Sequence, residues 1–225
     1  MRPDKPERGC RSHRVVVVDD HPMVRRGLTQ LIREEPDLNV VGEASGACEG
    51  FDVVQRLRPD LATIDLSLKE GEGIDLIRRI KTFDKTIRIL VISIHDESLY
   101  AARALKAGAR GYINKEEAMS EVLTAIRRVL KGKIYLSETM RERLTDPLTG
   151  DHHPGEHTPE DRLTNRELAI FRLIGQGHST AQIAAHLHLS VKTVESHREN
   201  IKHKLNLDNS TQLTRQAVRW VLEQA

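Results

Sequence analysis

The chain has 225 residues, of which 30% are charged, and a formal net charge of only +2, so binding to nucleic acid would require a local basic patch. Its longest apolar runs, VVVV and ILVISI, fall far short of the roughly 18 residues of a membrane span, and no apolar stretch follows the charged leader to form a signal peptide. Cys10 and Cys48 lack the spacing of metal or redox sites, so we expect free thiols, a cytoplasmic location and no membrane association.

Short apolar runs alternate with helical patterns over residues 14–131. Five runs are predicted β-strands: RVVVVD, NVVGEA, LATID, RILVISI and GYIN. Between the first two, apolar residues recur with the spacing of one buried helical stripe, at Val24, Leu28, Leu31 and Ile32. Five strand–helix repeats predict a parallel sheet with helices on both faces, which is the doubly wound α/β class.

Polar side chains follow four of these five strands. They are Asp19 and Asp20 after the first, Asp65 after the third, Ser93 after the fourth and Lys115 after the fifth. Doubly wound sheets place function outside the carboxyl ends of their strands, so we expect these side chains to meet. Three carboxylates there require a cation, and Mg²⁺ suits oxygen ligands with one open position. A carboxylate beside the metal can act as a nucleophile and become an aspartyl phosphate, with Lys115 and Ser93 contacting the phosphoryl oxygens.

Each of these residues also has a simpler explanation when it is taken alone. Asp19 or Asp20 could cap the helix that begins at Pro22, Ser93 could be an ordinary strand-end hydroxyl, and Lys115 could be a solvated loop cation. Their joint placement at four strand ends favours the phosphoacceptor site.

The composition changes after residue 136. The stretch SETMRERLTDPLTGDHHPGEHTPEDR is polar, contains three prolines and two glycines, and lacks sustained periodicity. We interpret it as a linker with a short helix near residues 137–144. His152, His153 and His157 suggest a metal site, but a solvated linker explains such a tract better.

The last part of the chain has helical patterns throughout. Capping boxes open two helices, at Thr164 with Glu167 and at Ser179 with Gln182. Ser190 can cap a third helix after the turn HLS, which predicts a helix-turn-helix.

The third helix splits by face. Its apolar residues Val191, Val194, Ile201 and Leu205 are expected to pack on the domain, whereas its other side is polar. A purely solvated face is the alternative to a DNA-reading one.

A fourth helix over residues 210–223 carries Leu213, Ala217, Trp220 and Val221 on one face. We expect this face to form a dimer surface, or else to complete the core of its own domain.

Several motifs carry a resemblance to a known family. VVVVDDHP, TIDLSL, VISIHD and GYINK resemble the receiver domain of bacterial two-component response regulators. The stretch LTNRELAIFRLIGQGHSTAQIAAHLHLSVKTVESHRENIKHKL resembles the LuxR-type helix-turn-helix, and the two in this order resemble the NarL/FixJ class. The resemblance implies a flavodoxin-like (βα)5 receiver with strand order 2-1-3-4-5 over residues 13–131, a linker over 132–159, and a small all-α DNA-binding domain over 160–225.

The resemblance also implies roles for individual residues of the receiver. Asp65 would be the phosphoacceptor, with Asp19, Asp20, Asp65 and the Ser67 carbonyl around Mg²⁺. Ser93 and Tyr112 would be the switch pair. One departure is that Leu68 and Lys69 stand where the family usually has Met-Pro. This departure frees the loop backbone and adds a cation near the site, which bears on the phosphoryl lifetime and the affinity for Mg²⁺.

In the DNA-binding half, the positions that match the base-reading ones of the family are Glu195, Ser196 and Glu199. A glutamate at the first favours cytosine N4 as its partner, or holds a neighbouring arginine in place. Phosphate contacts, which position the protein without reading sequence, are expected from Lys192, Thr193, Arg198 and Lys202.

The leading hypothesis is a phosphorylation-controlled transcription factor, not an enzyme. Its expected partners are double-stranded DNA, a sensor histidine kinase and a second copy in a phosphorylation-dependent homodimer, with RNA polymerase a further candidate. One alternative is a phosphohydrolase, although Ser67 stands where a second acid would follow Asp65 by two positions. The other is a constitutive DNA-binding regulator whose receiver is only a protein-interaction module, which Lys69 keeps open.

Overall fold

The computed structural model describes residues 12–68, 72–95, 97–115, 119–145, 159–187 and 189–223. Lys69 and the three histidines at 152, 153 and 157 lie outside these residues, so the expectations attached to them stay predictions. The chain divides into two compact units, Met1–Thr149 and Gly150–Ala225.

The first unit contains a five-stranded parallel sheet with the order β2-β1-β3-β4-β5. Its strands are β1 (His13–Val18), β2 (Leu38–Ala44), β3 (Leu61–Ile64), β4 (Arg88–Ser93) and β5 (Gly111–Asn114). Sheets covered on both faces favour continuous runs of β-branched residues, and the four valines that end β1 are at most 1% exposed. The predicted doubly wound fold and its strand order are therefore confirmed.

Helices cover both faces of this sheet. They are α1 (Pro22–Arg33), α2 (Ala47–Leu57), α3 (Gly73–Phe83), α4 (Glu97–Ala107) and α5 (Met119–Leu130). Because successive strand residues point to opposite faces, Val15 and Val17 pack in one core with α1 and α5. Val18 points the other way, where it meets Gly50 of α2. Each strand end is thus held between two helical layers, so the residues that directly follow a strand have a defined position at the edge of the sheet.

The chain after α5 returns along the sheet before the next helix begins. Tyr135 forms a parallel bridge with Gly111 of β5, and α6 (Glu138–Thr145) follows. This helix occupies the place of the short one expected near residues 137–144. Leu136 and Met140 are buried, so the first part of the predicted linker packs against its own unit.

The second unit is entirely helical in its described part. A 3-10 turn (Pro159–Arg162) precedes α7 (Asn165–Gly175), α8 (Thr180–His186), α9 (Val191–Leu205) and α10 (Ser210–Glu223). Both predicted capping boxes form, and Ser190 caps α9 by accepting from the Thr193 amide. Asn206, at a φ of 53°, ends α9 in the left-handed conformation that a helix C-terminus favours.

The structure corrects two expectations for these helices. Val191 is 45% exposed and does not pack on the domain with Val194 and Ile201, because it lies in the first turn, beside the exposed polar face of α9. The predicted dimer face of α10 packs inside its own unit, since Ala217 is fully buried and its carbonyl lies close to Gly175 of α7. The alternative, that this face completes the domain core, is the one the structure supports.

Candidate functional site

An acidic cluster lies at the carboxyl ends of β1 and β3. The side-chain ligand atoms of Asp19, Asp20, His21 and Asp65 all lie within 4.8 Å of one another. Asp19 and Asp65 are each only 1% exposed. Carboxylates this close and this poorly hydrated repel one another strongly, so the cluster needs positive charge.

Lys115, which follows β5, supplies the nearest positive charge. Its Nζ lies 2.8 Å from Asp19 Oδ2 and 2.6 Å from Asp65 Oδ2, and its side chain is only 8% exposed. Burial by itself lowers the pKa of Lys115. The charges and hydrogen bonds of Asp65 and Asp19 raise this pKa by more than burial lowers it, so the net pKa lies above the ordinary value. Three carboxylates outnumber this one ammonium group, so the cluster has room for a further cation.

The loop between β1 and α1 holds Asp19 and Asp20 in place. The His21 amide donates to Asp19 Oδ1 at 2.9 Å, and Arg25 Nη1 donates to the Asp19 carbonyl at 2.6 Å. His21 Nδ1 lies 2.7 Å from Asp20 Oδ1. The sequence prediction omitted His21 and Arg25, although the run Asp-Asp-His was a visible signal for the first.

The loop after β3 positions Asp65. The Ser67 amide donates to Asp65 Oδ1 at 3.3 Å, and the Gly73 amide donates to the Leu66 carbonyl. A Cβ at Gly73 would lie 2.2 Å from the Asp65 carbonyl oxygen, so only a glycine lets α3 begin this close to the site. The predicted role of the Ser67 carbonyl as a metal ligand stays a prediction.

Ser93 and Tyr112, the predicted switch pair, are both buried beside this cluster. The Tyr112 hydroxyl donates to the His95 carbonyl at 2.9 Å, and the Lys115 amide donates to the Ser93 carbonyl at 2.9 Å. Burial raises the pKa of Tyr112 well above its ordinary value, so the phenol stays a hydrogen-bond donor.

The sequence prediction missed His95. Its Nε2 lies 2.7 Å from Ser67 Oγ, and its ring stacks on Tyr100 at 4.6 Å between centroids. Its position two residues after Ser93 was the available signal, but the path of the β4–α4 loop decides whether the ring reaches the site.

The donor set fits a hard divalent cation. Mg²⁺ prefers carboxylate and carbonyl oxygens and keeps several waters, and the cluster offers the carboxylates of Asp19, Asp20 and Asp65. His21 is the one nitrogen donor in the cluster among the residues that the structure describes.

Helix α9 presents a polar face opposite its buried residues Val194 and Ile201. Among the predicted DNA-contacting residues, four are exposed, namely Lys192, Glu195, Ser196 and Glu199. The other three are partly exposed, namely Thr193, Arg198 and Lys202. Two pairs among these residues contact each other: Lys202 Nζ lies 2.9 Å from Glu199 Oε1, and the Ser196 hydroxyl donates to the Lys192 carbonyl at 3.1 Å.

A partly buried ion pair that the sequence did not reveal fixes α9 on α7. Lys204 Nζ lies 2.6 Å from Glu167 Oε2, the same carboxylate that accepts from the Thr164 amide in the capping box. Burial raises the pKa of Glu167, but Lys204 and the Thr164 contacts lower it more, so the net pKa lies below its ordinary value. The polar face of α9 is therefore held at a fixed orientation relative to α7.

None of the helices in the described part of the chain is both long and apolar enough to span a membrane. The buried acidic site and the capped helices that follow define a class of protein: a regulator that joins a signal-receiving α/β domain to a DNA-binding domain.

Comparison with known proteins specifies this class. The profile of the response regulator receiver domain matches residues 15–127, and that of the luxR family of bacterial regulatory proteins matches residues 161–217. The chain belongs to the bacterial response regulators that combine a receiver domain with a LuxR-type DNA-binding domain. It is thus homologous to phosphorylation-regulated transcriptional regulators, as its resemblance to the NarL/FixJ class implied.

Relatives match along nearly the whole chain. The oxygen regulatory protein NreC of Staphylococcus carnosus is 33% identical over 92% of this chain and 97% of its own. The transcriptional regulatory protein LiaR of Bacillus subtilis is 35% identical over 88% and 93%.

Solved structures agree with these relatives. A LuxR-family response regulator from Aurantimonas sp. SI85-9A1 aligns with a TM-score of 0.56 and 36% identity, over 59% of this chain and 99% of its own. RcsB from Salmonella enterica serovar Typhimurium, bound to promoter rprA in the presence of the phosphomimetic BeF3⁻, aligns with a TM-score of 0.57 and 25% identity, over 91% and 97%.

Proposed function

We propose that this response regulator accepts a phosphoryl group on Asp65 from a sensor histidine kinase and thereby controls DNA binding through α9. The observation that carries the proposal is the buried contact of Lys115 with both Asp65 and Asp19. Lys115 is held charged beside the Asp65 carboxylate. Once the phosphoryl group is attached there, the ammonium group lies close enough to pair with the negatively charged phosphoryl oxygens.

The phosphoryl transfer is a nucleophilic displacement at phosphorus. An Asp65 carboxylate oxygen attacks the phosphorus atom of a phosphohistidine, the new O–P bond forms, and the N–P bond breaks. The leaving imidazole keeps the electron pair and takes up a proton. Lys115 pairs with the phosphoryl oxygens, and the Ser93 hydroxyl turns to donate to one of them.

The Mg²⁺ site forms part of the proposal. Asp19, Asp20, Asp65 and the Ser67 carbonyl would hold the ion, which supplies positive charge beside the transferred group. The chain's own residues hold these carboxylates in place, since the Ser67 amide donates to the Asp65 side chain and the Arg25 guanidinium donates to the Asp19 backbone carbonyl.

The DNA-binding part of the proposal concerns the polar face of α9. The exposed Glu195, Ser196 and Glu199 are the proposed base-reading residues, and Lys192, Thr193, Arg198 and Lys202 are the proposed phosphate contacts. The RcsB structure on its promoter with a phosphomimetic supports DNA binding by this half of the chain, while the roles of the individual residues rest on their exposure and on the family resemblance. A homodimer, a cytoplasmic location and the domain limits 13–131 and 160–225 complete the proposal.

A labelling experiment tests the acceptor. The protein is incubated with Mg²⁺ and radiolabelled acetyl phosphate, and the same is done with Asp65→Asn and with Asp52→Asn, an exposed aspartate of α2 that serves as a matched control. We expect stable, hydroxylamine-sensitive label on the wild type and Asp52→Asn and none on Asp65→Asn. Label that persists in Asp65→Asn contradicts the site. Rapid release of phosphate indicates a phosphohydrolase, and absence of label from the wild type indicates a receiver that is only an interaction module.

A further inference from the structure

The segment between α5 and α6 is bound to the edge of the receiver sheet. The Tyr135 amide donates to the Arg110 carbonyl at 3.0 Å, and the Tyr112 amide donates to the Tyr135 carbonyl at 3.0 Å. Leu136 and Met140 are 4% and 5% exposed. The chain that leaves the receiver is thus hydrogen-bonded to Tyr112, one of the proposed switch residues.

The start of α6 has an unusual cap. Ser137 Oγ accepts from the Met140 amide at 3.2 Å, which makes Ser137 the N-cap residue. The Ser137 amide itself donates to Glu97 Oε1, the carboxylate of the first residue of α4, at 3.0 Å. In a complete capping box the N-cap amide donates instead to the side chain of a Glu or Gln three residues after the cap.

Two other helices of the same chain show the usual arrangement. In α7 the acceptor for the Thr164 amide is Glu167, and in α8 the acceptor for the Ser179 amide is Gln182, each within its own helix. Helix α6 has the apolar Met140 at that position, so Glu97 of α4 completes its capping box from another element.

Glu97 lies where phosphorylation would move the chain. It follows Ser93 by four residues, and the intervening loop carries His95, whose carbonyl binds the Tyr112 hydroxyl and whose ring binds Ser67. The His95 amide also donates to Ser93 Oγ at 3.4 Å, so a Ser93 hydroxyl that turns toward a phosphoryl group on Asp65 gives up this bond and releases the start of the loop. A shift of about 1 Å in Glu97 would stretch its bond to Ser137 beyond hydrogen-bonding distance.

We propose that Glu97 is a positioning residue that couples the phosphorylation state to the linker helix α6. In the unphosphorylated protein its carboxylate completes the capping box of α6 and holds the linker on the sheet. Phosphorylation withdraws the carboxylate and loosens the start of α6. This regulation rests on the proposed acceptor role of Asp65.

Hydrogen exchange of the amides in residues 133–141 tests the contact directly in the unphosphorylated full-length protein. Glu97→Ala should speed exchange at the Ser137 amide about tenfold, as expected for loss of a hydrogen bond to a charged group, whereas Glu97→Gln retains an acceptor oxygen and most of the protection. The Tyr135 amide, which is bonded to Arg110, should stay protected in both variants and thereby shows that the sheet edge is intact. Glu49→Ala is the matched control, since it removes a glutamate–serine contact of the same kind before α2.

A second comparison adds phosphorylation. With the labelled fraction of Asp65 measured in the same sample, exchange at Ser137 should rise in the wild type and change less than twofold in Glu97→Ala. Unchanged Ser137 exchange in unphosphorylated Glu97→Ala overturns the contact. Unchanged exchange in wild type with Asp65 fully labelled overturns the coupling. If Asp65 takes no label, the proposed function fails, while the unphosphorylated comparison still decides the role of Glu97.

Discussion

Replacing Lys115 by methionine removes the positive charge that the acidic cluster depends on. Asp19 and Asp65, each 1% exposed and within 2.8 Å of the ammonium group, would then remain buried without a counter-charge. Breaking a buried ion pair from one side costs about 3–5 kcal/mol. We expect the lower end, about 3 kcal/mol, because the cluster lies at the edge of the sheet and water can reach part of it. For a unit of this size that loss corresponds to a fall in Tm of ~10 °C.

The distinctive part of this prediction is its dependence on Mg²⁺. A ligand present at a hundredfold excess over its Kd stabilises the folded state by about 2.7 kcal/mol. Since the variant has lost the competing cation, Mg²⁺ should bind it more tightly and restore most of the lost stability. Thermal unfolding in EDTA and across a Mg²⁺ titration measures both effects. Lys131→Met, at an exposed lysine after α5, is the matched control.

Two results would refute the reasoning. If Lys115→Met unfolds at the wild-type temperature in EDTA, the lysine does not compensate the carboxylates. If Mg²⁺ raises the Tm of the wild type and the variant equally, the ion and the lysine do not compete for the same negative charge, and the proposed metal position is wrong.

Further predictions concern the DNA-binding half. Lys202→Ala should weaken binding to all DNA sequences alike and reduce the salt slope by about one counterion, whereas Glu195→Ala should change preference at one base pair by about 1–3 kcal/mol. Binding-site selection and salt titrations separate these effects, and an identical selected motif for Glu195→Ala would contradict its role. Glu167→Gln should lower stability at pH 7 by about 1 kcal/mol. Because the pKa of Glu167 is lowered on folding, its contribution is present above the ordinary glutamate range and lost as pH falls through the folded value, so the difference in chemical denaturation should vanish in acid. A fragment of residues 160–225 should bind target DNA more tightly than the unphosphorylated full-length protein, and weaker binding by the fragment would favour receiver-driven dimerisation over restraint.

The strand-end residues of the site could be predicted because of how parallel sheets are built. Once a sequence shows five strand–helix repeats, the carboxyl ends of the strands must lie at one edge, and Asp19, Asp65 and Lys115 follow those ends directly. No knowledge of loop geometry is needed to bring them together. The same holds for the caps of α7 and α8, whose partners lie within one helical turn of each other.

The contacts that could not be predicted depend on chain paths that the periodicity does not encode. His95 reaches Ser67, and Glu97 reaches Ser137, across loops and between elements that are 28 and 40 residues apart. The apolar face of α10 was visible in the sequence, but the pattern of an amphipathic helix does not specify which surface covers it. In the structure, α7 of the same unit covers it, with the Trp220 ring 5.8 Å from that of Phe171.

The close approach of Gly73 to Asp65 has a consequence for which changes the receiver can tolerate. The atom that an added Cβ would meet, at 2.2 Å, is a backbone oxygen, and no flexible side chain is there to give way. Even an alanine would push back the strand end that carries Asp65 and draw the carboxylate away from Lys115. Deep mutational scanning should therefore find position 73 intolerant to every substitution. Leu68, by contrast, is a buried side chain with no such backbone contact, so this end of the loop should accept other apolar residues of similar size.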